Sequence, residues 1–147
     1  MQYTLKRLKD VDPQLCEQLK RQCYAINGYC TTVHKELGAF LNEYMYQDAL
    51  QILLDEQQSP YKREFYFSIN FHGKPIQHKH YVDFLVNDEI IIECKAVEAI
   101  HAEHRQQLWN YMRLTGKQIG ILCNFAPPID QIEHYYLDTK DGTMYMF

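Results

Sequence analysis

The chain has 147 residues, of which 46% are apolar and 23% are charged, a balance typical of one globular domain. Its formal net charge of −4 argues against a broadly basic nucleic-acid-binding protein, although bound cations can restore positive potential locally where acidic side chains hold them. No run of about 18 apolar residues occurs and residues 1–12 are polar, so we expect neither a membrane span nor a targeting peptide. Five cysteines without a C-x-x-C pair predict reduced thiols and a cytoplasmic protein.

The first predicted helix begins at Asp12-Pro13, an N-cap side chain followed by proline at the first helical position. It extends to about Leu37, and Gly38 ends it. Three cysteines spaced by seven residues could suggest metal ligands in this helix. However, they belong to one apolar stripe, in which free cysteine packs as a small apolar side chain. The stripe consists of Cys16, Leu19, Cys23, Ile26, Cys30, Val33 and Leu37.

A second helix is predicted from about Leu41 to Gln57, with Ser59-Pro60 as its stop. Its predicted inner face carries Leu41, Met45, Ala49, Ile52 and Leu53. Three strands follow, and their turns lie at residues 72–74 and 87–89. The second and third strands cover about residues 77–86 and 90–95. The first is indicated by the period-two alternation of Phe65, Phe67, Ile69 and Phe71.

A third helix runs from about Ala99 to Leu114 and ends at Thr115-Gly116, because glycine commonly follows the last helical turn. Residues 118–125 predict a buried strand, which Pro127-Pro128 closes. The rest of the tail, residues 129–147, fits either a helical turn or an edge strand. The predicted order is therefore helix, helix, three strands, helix, strand and tail.

Two acids and a lysine, Asp83, Glu93 and Lys95, lie on the second and third predicted strands. Side chains two residues apart share a face of a strand, so Glu93 and Lys95 point the same way. A three-residue turn would pair Val86 with Ile90 and place Asp83 opposite Glu93, whereas a two-residue turn would break the cluster. In the clustered register the other face carries Val82, Phe84, Ile90 and Ile92.

This combination of side chains suits hydrolysis of a phosphodiester bond. Carboxylates hold Mg²⁺ or Mn²⁺, which prefer oxygen ligands, and the metal activates water and binds phosphate oxygens. A lysine beside the metal stabilises developing negative charge. The alternative is an ordinary salt bridge between Lys95 and either acid, although buried acids in apolar strands are costly unless they are paired or metal-bound.

Short motifs run in order along residues 22–126: Gly28, Val33-His34, Leu37-Gly38, Glu43, Tyr46, Asp83-Phe84, Glu93-x-Lys95-Ala96, Gln107-Leu108-x-Asn110-Tyr111, Leu114-Thr115-Gly116 and Asn124-Phe125. In combination they resemble the GxxExxY family of PD-(D/E)XK proteins. The resemblance implies an α/β fold with a restriction-endonuclease-like αβββαβ core, a mixed four-stranded sheet flanked by helices. Residues 1–147 would form one domain, with its core at about 22–126 and a C-terminal tail at 127–147.

The resemblance also implies roles for the matching residues. Lys95 would be the catalytic lysine, and the metal ligands would be Glu43, Asp83 and Glu93. One departure concerns the turn before Glu43, because the family's glycine, three residues before the glutamate, falls at Phe40. Gly38 remains available for this turn, but the helix start that places Glu43 is altered.

Gln107 and Tyr111 resemble a Q-x-x-x-Y element that lines the site of recombination-type exonucleases. Their spacing puts both on one side of a helix, where packing on the sheet is an equal explanation. For Tyr46, a core aromatic is the favoured interpretation. His104 falls on the same side of the third helix as Gln107 and Tyr111, which allows a phosphate contact. A solvated helix start explains His101 and His104 without a ligand.

A small basic patch precedes Asp83 and consists of Lys74, His78, Lys79 and His80. It fits either a nucleic-acid backbone contact or a solvated hairpin, and it is too small for tight binding. These observations predict a Mg²⁺- or Mn²⁺-dependent nuclease, a hydrolase that acts on DNA. The alternative is a catalytically weak or inactive nuclease-fold module that binds nucleic acid or protein, with a homodimer as one form.

Overall fold

The computed structural model describes residues 5–147. Its helices are α1 (Pro13–Leu37), α2 (Glu43–Glu56) and α3 (Ala102–Thr115). Its strands are β1 (Lys6–Arg7), β2 (Tyr61–Phe67), β3 (Asn70–Phe71), β4 (Lys74–Pro75), β5 (His80–Val86), β6 (Ile90–Lys95), β7 (Ile119–Asn124), β8 (Gln131–Asp138) and β9 (Thr143–Met146).

The predicted signals for the ends of the first helix are confirmed. The Asp12 side chain accepts a hydrogen bond from the backbone N–H of Leu15 at 3.1 Å, and Pro13 follows it at the start of α1. Gly38 caps the other end, with a φ of 82° and its N–H bonded to the carbonyl of His34. The apolar stripe is buried as far as Val33, and its cysteines are free thiols in the core.

The main sheet has seven strands within residues 5–147, so the prediction of a four-stranded sheet was wrong. The strand order is β1-β9-β8-β7-β6-β5-β2, and β3 and β4 form a separate hairpin. The four predicted strands are present as β2, β5, β6 and β7, and the sheet is mixed, as expected. The tail adds β8 and β9 as an antiparallel pair, and β1 joins β9 in parallel.

The predicted register between β5 and β6 is confirmed. Val86 pairs with Ile90, Leu85 with Ile91 and Phe84 with Ile92, so the connecting turn has three residues. Asn87 and Asp88 at its centre have φ values of 54° and 57°, a conformation that asparagine and aspartate tolerate better than most residues. This register brings Asp83 to Glu93.

Helices cover both faces of the sheet. The core on one face joins α1 and α2 to alternate residues of the central strands, and the core on the other face lies beneath α3. The prediction that Val82 shares a face with Phe84 was wrong. Val82 packs beneath α3, whereas Phe84 lies in the core on the opposite face. The predicted inner face of α2 was also displaced, since Met45 and Ile52 are exposed. The side chains that α2 buries are Tyr46, Gln47, Leu50 and Leu54.

No helix within residues 5–147 combines the length and the apolar character that a membrane crossing needs.

Candidate active site

Asp83 and Glu93 are tied to each other where the backbone pairing of β5 and β6 gives way to side-chain bonds. The backbone N–H of Asp83 donates to Glu93 Oε1 at 3.2 Å, and the N–H of Cys94 donates to Asp83 Oδ2 at 2.8 Å. Each carboxylate therefore substitutes for a main-chain acceptor on the neighbouring strand. This arrangement fixes both side chains at the carboxyl end of β6.

Glu43 is the first residue of α2 and lies near this pair. The side chain of Asn42 caps the helix by accepting a hydrogen bond from the N–H of Tyr44 at 2.8 Å. The preceding turn keeps a glycine-like backbone although the residue is phenylalanine, because Phe40 has a φ of 64°. Phe40 therefore stands in a turn whose backbone glycine would adopt without strain, and α2 begins three residues later at Glu43.

Tyr46 holds this turn from inside the core, which agrees with the interpretation of a core aromatic. Its hydroxyl donates to the carbonyl of Gly38 at 2.7 Å and accepts from the N–H of Leu41 at 3.0 Å. The ring is fully buried and stacks on Phe125, with 4.8 Å between ring centroids. One side chain thus fixes both the end of α1 and the approach to Glu43.

Replacing Tyr46 by phenylalanine should therefore loosen the turn without emptying the core. We expect a loss of about 1–3 kcal/mol in the free energy of unfolding, because two backbone groups lose their hydrogen-bond partner. Urea denaturation measures this loss. Tyr61→Phe is the matched control, since its hydroxyl donates to the side chain of the exposed Asp55 and, within residues 5–147, to no backbone group of a turn. Equal stability of Tyr46→Phe and wild type would contradict the assigned role.

A second chain of contacts links Lys95 to α3. Lys95 Nζ donates to Gln107 Oε1 at 3.2 Å, and Gln107 Nε2 donates to the hydroxyl of Tyr111 at 3.2 Å. The four-residue spacing places Gln107 and Tyr111 together, as predicted. Gln107 is exposed and touches Lys95, so the pair does more than pack on the sheet.

The three acids of the site, Glu43, Asp83 and Glu93, all have raised pKa values. Burial and then the charge of Asp83 raise the pKa of Glu93 well above its ordinary value, and only 4% of Glu93 is exposed. Burial raises the pKa of Asp83 too, although the bond from Cys94 opposes this effect. Burial and Asp83 raise the pKa of Glu43, whereas Lys95 lowers it. These shifts place the acids and Lys95 within reach of one another's charge.

The donor chemistry of the site fits a hard divalent cation. Asp83 and Glu93 each have a second carboxylate oxygen besides the one that accepts a backbone N–H. Within residues 5–147, however, no three acidic, histidine or cysteine side chains are already grouped closely enough to hold a metal.

The predicted nucleic-acid contacts lie at different distances from this centre. Lys74, His78 and Lys79 are exposed on β4 and the segment that follows it. His78 approaches His80 with 6.3 Å between ring centroids, and His80 lies 6.4 Å from Tyr111, so the patch reaches the site through two rings. His104 in the first turn of α3 is near enough for Lys95 to lower its pKa, after the larger effect of burial.

Two contributors at the border of the site were not predicted. Arg63 on β2 donates to Asp48 at 2.6 Å and Gln51 at 2.8 Å, and its charge lowers the pKa of Asp83. Phe67 packs edge-on against Tyr111 with 5.3 Å between centroids. Both follow from the antiparallel pairing of β2 with β5, which places Arg63 opposite Phe84. The alternation of residues 61–67 could have indicated this strand.

Comparison with known proteins places the chain in a family. The model of the PD-(D/E)XK nuclease superfamily matches residues 20–135, more than half of the chain. The crystal structure of SSO0001 is similar with a TM-score of 0.51 and 22% identity, a likeness that shows the fold alone. It covers 67% of this chain and 53% of that one, so the match spans about half the length of SSO0001. No curated protein matches the chain significantly. The chain belongs to the PD-(D/E)XK nuclease superfamily.

Proposed function

We propose that this chain is a GxxExxY-type member of its superfamily and hydrolyses phosphodiester bonds in DNA with Mg²⁺ or Mn²⁺. Residues 1–147 act as one domain in this proposal, in a cytoplasm that keeps the buried cysteines reduced. The observation that carries the proposal is that chemically matched side chains from α2, β5, β6 and α3 bond to one another or act on one another's charge. They are Glu43, Asp83, Glu93, Lys95, Gln107 and Tyr111. Groups with pKa values displaced by burial and by each other are typical of functional sites.

Each residue has a role in this proposal. Asp83, Glu93 and Glu43 hold the divalent metal, which when bound supplies an activated water and neutralises charge on the phosphate. Lys95 donates a hydrogen bond to the phosphate oxygens on which negative charge develops. Gln107 holds the ammonium group of Lys95 in place, and Tyr111 orients Gln107 through its hydroxyl.

The outer contacts in the proposal serve the nucleic-acid backbone. His104 contacts a phosphate beside Lys95, and the exposed side chains of Lys74, His78 and Lys79 contact the strand further from the site. Few cations are involved, so the affinity should fall only moderately with salt concentration.

Cleavage of labelled single-stranded and duplex DNA in Mg²⁺, Mn²⁺ and EDTA tests the proposal. We expect products only with metal, and a Glu43→Gln variant should need a higher metal concentration and cleave more slowly. Glu56→Gln is the matched control, because Glu56 is an exposed acid at the other end of α2. Absence of metal-dependent products with every strand would contradict the proposal. EDTA-resistant cleavage that Glu43→Gln leaves unchanged would contradict it equally.

A second candidate is a nuclease-fold module that binds nucleic acid or protein without hydrolysis, for instance as a homodimer. It is favoured by the lack of a ready three-ligand group within residues 5–147. It predicts binding of DNA or of a second copy that EDTA does not change. The hydrolytic proposal instead predicts that metal strengthens DNA binding, since the site acids repel phosphate.

A further inference from the structure

Phe40 adopts a backbone conformation that its side chain disfavours. Its φ of 64° lies in the left-handed region, where a residue with a Cβ is strained and glycine is not. Burial of the ring does not offset this strain, because 74% of the residue is exposed. Backbone strain of this kind is concentrated at functional positions, where the structure around it holds the residue in place.

The backbone contacts of Phe40 anchor it at the same end of the sheet as the candidate active site. Its N–H donates to the carbonyl of Ala126 at 3.2 Å. Ala126 follows β7, and the N–H of Phe125 donates to the carbonyl of Lys95 at 2.9 Å. Glu43 then begins α2 three residues after Phe40. The exposed ring is therefore carried by a segment bonded on one side to the strand end beside Lys95 and continuous on the other with Glu43.

A second exposed ring follows Glu43 directly. Tyr44 is 61% exposed, and its backbone N–H is held by the Asn42 cap. Phe40 and Tyr44 thus flank Glu43 along the chain and form what we call the aromatic rim. Because both backbones are fixed, the two rings of the rim can bind a ligand with a small loss of conformational entropy.

The chemistry of the rim fits an unpaired nucleobase. A flat aromatic ring stacks on any base, whereas a base inside a duplex has both faces covered by its neighbours. The net charge of −4 offers little of the basic surface that binding along a duplex backbone requires. A strand that supplies stacking energy from a splayed base needs fewer phosphate contacts.

We propose that Phe40, with Tyr44 beside it, stacks on an unpaired nucleobase adjacent to the phosphodiester bond at the Asp83–Glu93–Lys95 site and thereby selects single-stranded nucleic acid. This inference rests on the proposed nuclease function. The backbone strain at Phe40 is then retained because the ring contacts the substrate.

Binding of a short single-stranded DNA that contains one 2-aminopurine tests the inference, with the matching duplex as a comparison. Ca²⁺ is used for binding because it accepts oxygen ligands in a looser geometry than Mg²⁺. Wild type should quench the 2-aminopurine fluorescence. Phe40→Leu should abolish the quenching and weaken single-strand binding about 5- to 150-fold, with little change for the duplex. Phe40→Tyr should retain both, since it keeps an aromatic face.

Two further variants separate stacking from a structural role. Phe40→Gly should also lose the quenching, yet it should unfold at a higher urea concentration than wild type because its φ is relaxed. Tyr24→Leu is the matched control, an aromatic residue of α1 that is 79% exposed, and it should behave as wild type. A Phe40→Gly protein that is less stable than wild type would show that the ring stabilises the fold and would overturn the inference.

The outcomes also distinguish this inference from the nuclease proposal. Metal-dependent cleavage with equal single-strand affinity and quenching in wild type and Phe40→Leu would overturn the rim alone. Quenching that depends on Phe40 without cleavage in any metal would overturn the nuclease proposal and keep the rim as a binding site. A further outcome is that wild type sediments as a dimer and quenches no base, while Phe40→Leu sediments as a monomer. That result would overturn the inference, because the rim would then be a self-association surface. Absence of all binding and cleavage would overturn both.

Discussion

Asp83→Asn and Lys95→Met should each abolish detectable DNA cleavage while the protein remains folded. Asparagine keeps an oxygen that accepts the N–H of Cys94 but loses the charge that a metal requires. Loss of one donor to a charged transition state typically costs about 10²–10³-fold in rate, which is the minimum expected for Lys95→Met. Single-turnover cleavage with saturating metal and enzyme measures the loss directly.

Matched controls lie at the far edge of the sheet. Asp10 and Lys9 are exposed in the short 3-10 turn that follows β1, whereas the site lies on β5 and β6. Asp10→Asn and Lys9→Met should cleave as wild type does. Melting temperatures separate catalysis from unfolding, because removal of the Asp83 charge should leave the fold as stable as before or more so. Full activity in either site variant would refute the assigned roles.

Glu93→Gln should stabilise the metal-free protein at neutral and alkaline pH. The pKa of Glu93 is raised in the folded state, so the folded protein keeps a proton that the unfolded chain has already lost. Wild-type stability should therefore fall as pH rises from the ordinary pKa of 4.5 through the raised folded value, and it stays low above it. Glutamine has no such ionisation and retains the oxygen that accepts the N–H of Asp83.

Thermal melts in EDTA across a pH series measure this difference. The gap between Glu93→Gln and wild type should widen with pH and then become constant. Glu133→Gln is a control of opposite sign, because hydrogen bonds from Arg105 and Tyr135 outweigh burial and lower the pKa of Glu133. It should lose stability at neutral pH. An equal difference in melting temperature between Glu93→Gln and wild type at acidic and alkaline pH would show that the pKa of Glu93 is not raised by folding.

The sequence predicts the central part of this fold because the signals there are local. Asp12-Pro13 and Gly38 bound α1 through capping and backbone conformation, which depend on neighbouring residues. The turn at residues 87–89 sets the register that brings Asp83 to Glu93, so this part of the cluster follows from pairing rules. Gly116 ends α3 for the same local reason, with a φ of 74°.

The features that were wrong or open depend on distant parts of the chain. β1 and β9 are short strands, and they pair across almost the whole sequence, which no local pattern indicates. The alternation that suggested one strand from Phe65 to Phe71 is split, because β2 ends at Phe67 and β3 pairs with β4 instead. The inner face of α2 carries Tyr46, whose hydroxyl donates to the carbonyl of Gly38 outside the helix, and Met45, the residue before Tyr46, lies at the surface.

The residues of the site likewise divide into those that local sequence patterns indicate and those that depend on distant parts of the chain. Glu43, Gln107 and Tyr111 entered through family resemblance, because their helices are brought to β6 by packing on opposite faces of the sheet. Arg63 was missed since its influence on Asp83 passes between two strands whose register was not predicted. The glycine-like backbone of Phe40 could not be read from a phenylalanine.

The central claim is that Asp83 and Glu93 form a divalent-metal site, and a thermal melt of the purified protein tests it most directly. Wild type and Asp83→Ala are compared in Mg²⁺, in Mn²⁺ and in EDTA. We predict that metal raises the melting temperature of wild type and has no effect on Asp83→Ala, because binding to the folded state alone stabilises it. An identical response of the two proteins to millimolar metal would contradict the claim.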